Sequence, residues 1–187
     1  MKRGLLIIMS GPSGVGKGTI REKLMEDRSL NLFYSVSMTT RSSRPGEVNG
    51  REYYFVTKEE FQRNIDNGNL LEWAEFVGNR YGTPRDKVEK MRDEGKNVLL
   101  EIDVNGTSQI LSKLDPNDVV SVFIAPPSIE ELGNRLRGRS TESEEVIQNR
   151  VAQAARELEE SKKYRYVVIN DKLEDAVEDF RKIIKSN

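Results

Sequence analysis

Leu5-Leu6-Ile7-Ile8-Met9-Ser10-Gly11-Pro12-Ser13-Gly14-Val15-Gly16-Lys17-Gly18-Thr19 is the stretch on which the fold turns. Residues 5–9 read as a short strand buried on both faces, and the pattern from residue 20 to 25 reads as a helix. Between them lies a glycine-rich turn with a lysine at its end, the spacing of a phosphate-binding loop. Glycines let the backbone turn its N–H groups inward as an anion nest. The helix then points its positive end at the phosphates, and Lys17 reaches the β- and γ-phosphates. Gly11, Pro12, Ser13, Gly14, Val15, Gly16, Lys17, Gly18 and Thr19 are therefore assigned to ATP. The strict pattern puts a hydroxyl directly after the lysine to hold magnesium, but that position is Gly18 and the hydroxyl follows at Thr19. Magnesium is then expected on phosphates and water, with no direct protein ligand, and Thr19 on the α-phosphate.

Further apolar segments at 98–104, 119–125 and 166–169 each end in Gly, Pro, Asn or Asp and read as parallel strands like 5–9. Helical patterns alternate with them. Ser128 and Glu131 form a capping box, residues 146–158 carry one apolar face, and 173–184 makes a closing helix. This rhythm predicts a three-layer α/β fold around a parallel sheet. Residues 33–83 depart from it, with short alternating segments around one helix opened by Thr57 and Glu60, and read as an inserted β-rich lobe.

With 187 residues, one core is expected. The 30 Lys plus Arg against 31 Asp plus Glu leave the chain near neutrality, which disfavours a nucleic-acid partner. Absent Cys and His exclude thiol nucleophiles, Cys/His zinc sites and a Ser-His-Asp triad. What survives is chemistry by positioning and charge, of which phosphoryl transfer is the chief example. The five apolar residues after Lys2-Arg3 fall short of the roughly 7 to 15 of a signal peptide, and no run approaches the ~18 of a membrane helix. No membrane partner and a cytoplasmic location are expected.

A phosphate loop alone does not name the acceptor. Asp103-Val104-Asn105-Gly106 fits the D-x-x-G of a GTPase, yet no N-K-x-D segment follows. The deciding segment is Thr39-Thr40-Arg41-Ser42-Ser43-Arg44-Pro45-Gly46-Glu47-Val48-Asn49-Gly50-Arg51-Glu52-Tyr53-Tyr54-Phe55. Here the chain closely resembles the guanylate kinases. The resemblance continues through Leu71-Glu72-Trp73-Ala74-Glu75-Phe76, Asn79-Arg80-Tyr81-Gly82-Thr83, Leu100-Glu101-Ile102-Asp103, Ile124-Ala125-Pro126-Pro127-Ser128, Arg135-Leu136-Arg137-Gly138-Arg139 and Val168-Ile169-Asn170-Asp171.

That resemblance implies a single domain with its core in 1–32, 84–127 and 158–187, a GMP-binding lobe at 33–83 and a helical lid at 128–157. It implies transfer of the ATP γ-phosphoryl group to GMP with magnesium. The GMP phosphate goes to Arg41, Arg44, Tyr53 and Tyr81, whose donors suit a dianion. The guanine donor edge goes to Glu72 and Asp103, and its hydroxyl contacts to Ser37 and Thr83. Asp103 is a candidate to hold magnesium through water as well. Arg135, Arg139 and Arg150 match lid positions that close on the ATP phosphates, and Asn170 lies near the adenine. Ser140 stands where a glycine is expected, implying a stiffer lid hinge.

The bland readings are kept for Tyr54, Phe55 and Trp73 as sheet packing and for Arg137 and Arg156 as solvated helix faces. The acids around Ser143 read as a first helical turn, and Asp171 as a cap of the last helix. The rival to an enzyme is a non-catalytic relative that binds phosphorylated partners with the same lobe. Such domains typically lose the loop lysine or lid arginines, whereas Lys17, Arg41, Arg135, Arg139 and Arg150 are all present. A monomer or small homo-oligomer is expected.

Overall fold

A computed structural model describes residues 1–139 and 141–187. Five strands form one parallel sheet: β1 (Leu6–Ser10), β2 (Leu32–Tyr34), β7 (Asn97–Glu101), β8 (Val119–Ala125) and β9 (Tyr166–Ile169), in the order β2-β7-β1-β8-β9. Parallel strands need crossovers, and the crossovers supply helices for both faces. Side chains alternate along β1. Ile7 and Met9 pack with Ile20 and Leu24 of α1 (Lys17–Glu26) and with Val177 and Phe180 of α7 (Leu173–Lys185). Leu6 and Ile8 turn the other way, onto Val88 of α3 (Arg85–Asp93) and Ile110 of α4 (Val104–Lys113).

The second sheet runs β4-β3-β6-β5, from β3 (Met38–Thr39), β4 (Tyr54–Phe55), β5 (Leu70–Phe76) and β6 (Asn79–Pro84). It packs on α2 (Lys58–Asp66), which starts as the capping box predicts: Thr57 Oγ1 accepts from Glu60 N at 3.1 Å. Phe61 is fully buried there against Met38, Leu70 and Trp73. The expected Ser128 cap also forms, accepting from Glu131 N at 3.0 Å to open α5 (Ile129–Gly138), and α6 (Glu144–Glu160) follows. Among the described residues no helix is long and apolar enough to cross a membrane.

Three expectations shift. Phe33 and Tyr34, read as the start of the inserted lobe, form a strand of the core sheet, with Phe33 opposite Val98 and Tyr34 opposite Leu99. The strand is only three residues long and half-buried, so the sequence carries no full apolar run to mark it. β7 stops at Glu101, and Asp103, expected at its end, is instead the N-cap of α4, accepting from Gly106 N at 2.8 Å. Asp103 can satisfy a free helix amide only from outside the strand. Asp171 does not cap α7; that position is Lys172, without a side-chain cap.

Candidate active site

β1 delivers the chain into the phosphate loop, and α1 begins at Lys17 itself. Two glycines there admit nothing larger. A Cβ on Gly11 would lie 2.4 Å from the Ile124 carbonyl oxygen of β8, and Gly16 has φ +99° with Asn170 Nδ2 2.7 Å from where its Cβ would be. The same Asn170 amide donates to the Val15 carbonyl at 2.8 Å, so the loop is laced to the end of β9. The Lys17 ammonium donates to the carbonyls of Gly11 and Pro12, the latter at 3.2 Å. Burial lowers its pKa, opposed by the charges of Glu101, Glu157 and Asp103. Gly18 has open space beside it, and the Thr19 side chain is exposed.

The arginines expected in a lid divide. Arg135 reaches the backbone after β9, donating to Asn170 O at 2.9 Å and Asp171 O at 3.3 Å. Arg150, on α6, reaches back to Ser13 Oγ of the phosphate loop and pairs with Glu142. Arg139 is exposed at the end of α5. Ser140 lies outside the described residues. Arg137, read as a solvated face, is exposed and paired with Glu144 at 2.8 Å.

Beyond the end of β7, a cleft of about 430 Å³ opens between the two sheets, lined by Ser37, Tyr53, Glu72, Tyr81, Glu101 and Asp103 among others. Its location follows the rule that doubly wound sheets bind ligands outside the carboxyl ends of their strands. Glu72 projects from β5 and is only 7% exposed. Thr83, opposite it on β6, donates to its Oε1 at 2.8 Å. Burial raises the Glu72 pKa and the nearby Asp103 charge adds to this, while Thr83 and Lys113 act against it. Its Oε2 lies 2.9 Å and Asp103 Oδ1 3.3 Å from the point where a Gly106 Cβ would sit, so the glycine lets both carboxylates approach one spot. Two acceptors held so close, one of them nearly out of water, suit a ligand edge that offers two donors.

The other wall carries cations. Arg41 makes two parallel hydrogen bonds to Glu47, both 2.9 Å, and its guanidinium lies 5.1 Å from the Tyr53 ring centre and 5.8 Å from that of Phe55. Tyr53 stands edge-on to Tyr81 at 5.8 Å. Glu47 also accepts from the Arg44 amide at 2.7 Å, and the hydrogen bonds from Arg41 pull its pKa down. The Arg44 side chain is exposed. Phe55 packs on Tyr53 as a sheet residue would, and also forms a floor for Arg41.

The structure thus brings Ser37, Tyr53, Glu72, Tyr81, Thr83 and Asp103 together, with Arg41 against Tyr53. It leaves Arg44 and Arg139 reaching outward. Sequence reasoning gave no role to Glu47 or Glu101. Glu47 had a signal, its place three residues after Arg44 in the decisive segment; Glu101, which lines the cleft and pairs with Arg21 of α1, had only its position beside Ile102-Asp103.

The guanylate kinase family model matches residues 3–187. A guanylate kinase of Lactococcus lactis subsp. lactis (strain IL1403) is 54% identical over 185 residues, covering 99% of this chain and 89% of that protein. One of Oceanobacillus iheyensis is 50% identical over 185 residues, covering 99% and 88%. The crystal structure of a guanylate kinase from Anaplasma phagocytophilum superposes with a TM-score of 0.73 at 37% identity, covering 99% of this chain and 86% of that one.

Proposed function

This chain belongs to the guanylate kinase family, and on that premise we propose how its residues carry the reaction. The protein is an ATP:GMP phosphotransferase, giving ADP and GDP. Relatives about half identical over almost the whole chain support this catalytic reading over a non-catalytic interaction module.

One observation carries the residue assignment: a single cleft is lined at once by the carboxylates Glu72 and Asp103 and by Tyr53 and Tyr81, with Arg41 stacked on Tyr53. Guanine presents N1–H and N2–H beside an O6 acceptor. Glu72 and Asp103 accept from the two donors, Ser37 supplies its hydroxyl to the base, and Thr83, whose proton is on Glu72 Oε1, meets the base only as an acceptor. The monophosphate lies on Arg41, Arg44, Tyr53 and Tyr81, where charge-assisted hydrogen bonds fix a dianion. ATP occupies the loop from Gly11 to Thr19, its phosphates on backbone N–H groups and Lys17 and its base near Asn170.

A GMP phosphate oxygen attacks the γ-phosphorus as the bond to the ADP oxygen breaks. That oxygen is already ionised at neutral pH, so no general base is required. Lys17, Arg41, Arg135, Arg139 and Arg150 neutralise the charge spread over the transferring group. Closure of 128–157 over the phosphates excludes water, which would otherwise accept the phosphoryl group. For magnesium, the donor chemistry fits outer contact. Asp103 is exposed with Oδ1 on Gly106 N, so its other oxygen is available to water, and no hydroxyl follows Lys17 directly. Bound with ATP, the ion would supply positive charge to the polyphosphate, and Asp103 would hold it through water. A cytoplasmic location fits two nucleotide substrates.

The test is ADP release from MgATP with GMP, AMP, CMP and UMP in parallel, with Lys17→Ala as blank. Release with GMP alone is expected; equal release with AMP would overturn the base assignment.

A further inference from the structure

Arg150 is held at two points. Its guanidinium bonds to Ser13 Oγ at the tip of the phosphate loop and to a carboxylate oxygen of Glu142. Glu142 lies in the connection between α5 and α6, directly before Ser143, whose hydroxyl accepts from Val146 N at 3.3 Å and fixes the backbone there. The pair is half-buried, at 26% and 30% side-chain exposure, and the second Glu142 oxygen is buried without a donor among the described residues. A second acid, Glu157, stands two turns further along α6 and lines one small cleft of about 230 Å³ with Ser13, Val146 and Arg150. Among the described residues only Glu142 pairs with Arg150.

A carboxylate beside a polyphosphate site has two opposite consequences. Its charge repels ATP, and its hydrogen bond places a side chain that otherwise has many rotamers. Because Glu142 is fixed by the cap that follows it and spends its charge on Arg150, placement dominates. We propose that Glu142 is a positioning residue for ATP, holding Arg150 against Ser13 so that the guanidinium already faces the polyphosphate when the nucleotide arrives. This rests on the assignment of the loop to ATP.

Charge alone and placement predict opposite signs for Glu142→Gln. Removing the negative charge tightens ATP if repulsion dominates, and weakens it if placement does. The readout is the dissociation constant of a non-hydrolysable ATP analogue, measured by titration on the full chain. It needs no phosphoryl transfer, so a failure of the enzyme assignment shows in the acceptor panel and not here. Glu142→Gln should weaken the analogue about tenfold, the size of one charge-assisted hydrogen bond in a partly exposed pair. GMP affinity and the thermal midpoint should stay unchanged, and Glu142→Asp should recover part of the loss. In an Arg150→Met background, Glu142→Gln should change nothing further. Unchanged or tighter binding of the analogue by Glu142→Gln, or an equal loss with Arg150 already removed, overturns the proposal.

Discussion

Replacing Glu72 by Gln exchanges one carboxylate oxygen for an amide nitrogen at almost constant volume, and the structure says which one. Thr83 Oγ1 donates to Oε1 at 2.8 Å, so the Gln oxygen stays there and the nitrogen takes the place of Oε2 beside Gly106 and Asp103. In that place it confronts a guanine N–H donor with another donor. The loss of one hydrogen bond to a charged acceptor amounts to about 1.5–3 kcal/mol, or roughly 10- to 150-fold. The unpaired donor adds to it, so kcat/KM for GMP should fall about 100-fold, at the upper part of that range. AMP turnover should not fall in step, because adenine offers an acceptor at N1.

Stability should move the other way. The Glu72 pKa is raised in the folded state, so the wild-type carboxyl contributes stability below its ordinary 4.5 that is lost as pH rises through the folded value. Glu72→Gln removes that loss and should be more heat-stable than wild type at pH 8, the difference shrinking near pH 4.5. Steady-state kinetics with GMP and AMP, together with melting at the two pH values, tests both halves. A kcat/KM for GMP within threefold of wild type refutes the base assignment, and a lower midpoint at pH 8 refutes the burial argument.

Glu47→Gln should free Arg41 and raise KM for GMP about tenfold with a smaller effect on kcat; a kcat loss at unchanged KM would contradict a ground-state clamp. Because the Glu47 pKa is lowered in the folded state, its stabilising effect is present above 4.5 and fades as pH falls below it, so wild type and Glu47→Gln should converge in acid melting curves. Gly11→Ala places a methyl 2.4 Å from a main-chain oxygen and should cost about 3 kcal/mol or more in urea unfolding; a cost under about 1 kcal/mol would mean that the loop relaxes freely. Lys17→Met should lower kcat about 10²- to 10³-fold at saturating GMP, read by ADP release, and a tenfold effect or less would move the main charge stabilisation to the lid.

Much of this was legible because it is local. The loop from Gly11 to Lys17, the Thr57 and Ser128 caps and the apolar run of β8 each need only neighbouring residues, and all fall where the pattern predicts. β2 was not legible as core, since three half-buried residues gain their identity only from pairing with β7 more than sixty positions away. Asp103 lines the cleft as a helix cap, not from the C-terminal end of a strand where the apolar pattern puts it. The meeting of Glu72 with Thr83 depends on the β5–β6 register, which includes an irregularity between Leu70 and Glu72 that no periodicity announces. Glu47 stands at a fixed place in the decisive segment, but its role as the partner of Arg41 shows only in the folded loop.

The most direct test follows the phosphorus itself. With γ-labelled ATP and saturating GMP, the label should appear in GDP one-for-one with ADP, and Lys17→Ala should abolish the transfer. Label released as inorganic phosphate, with GMP recovered unchanged, would mean that water is the acceptor and would contradict the account.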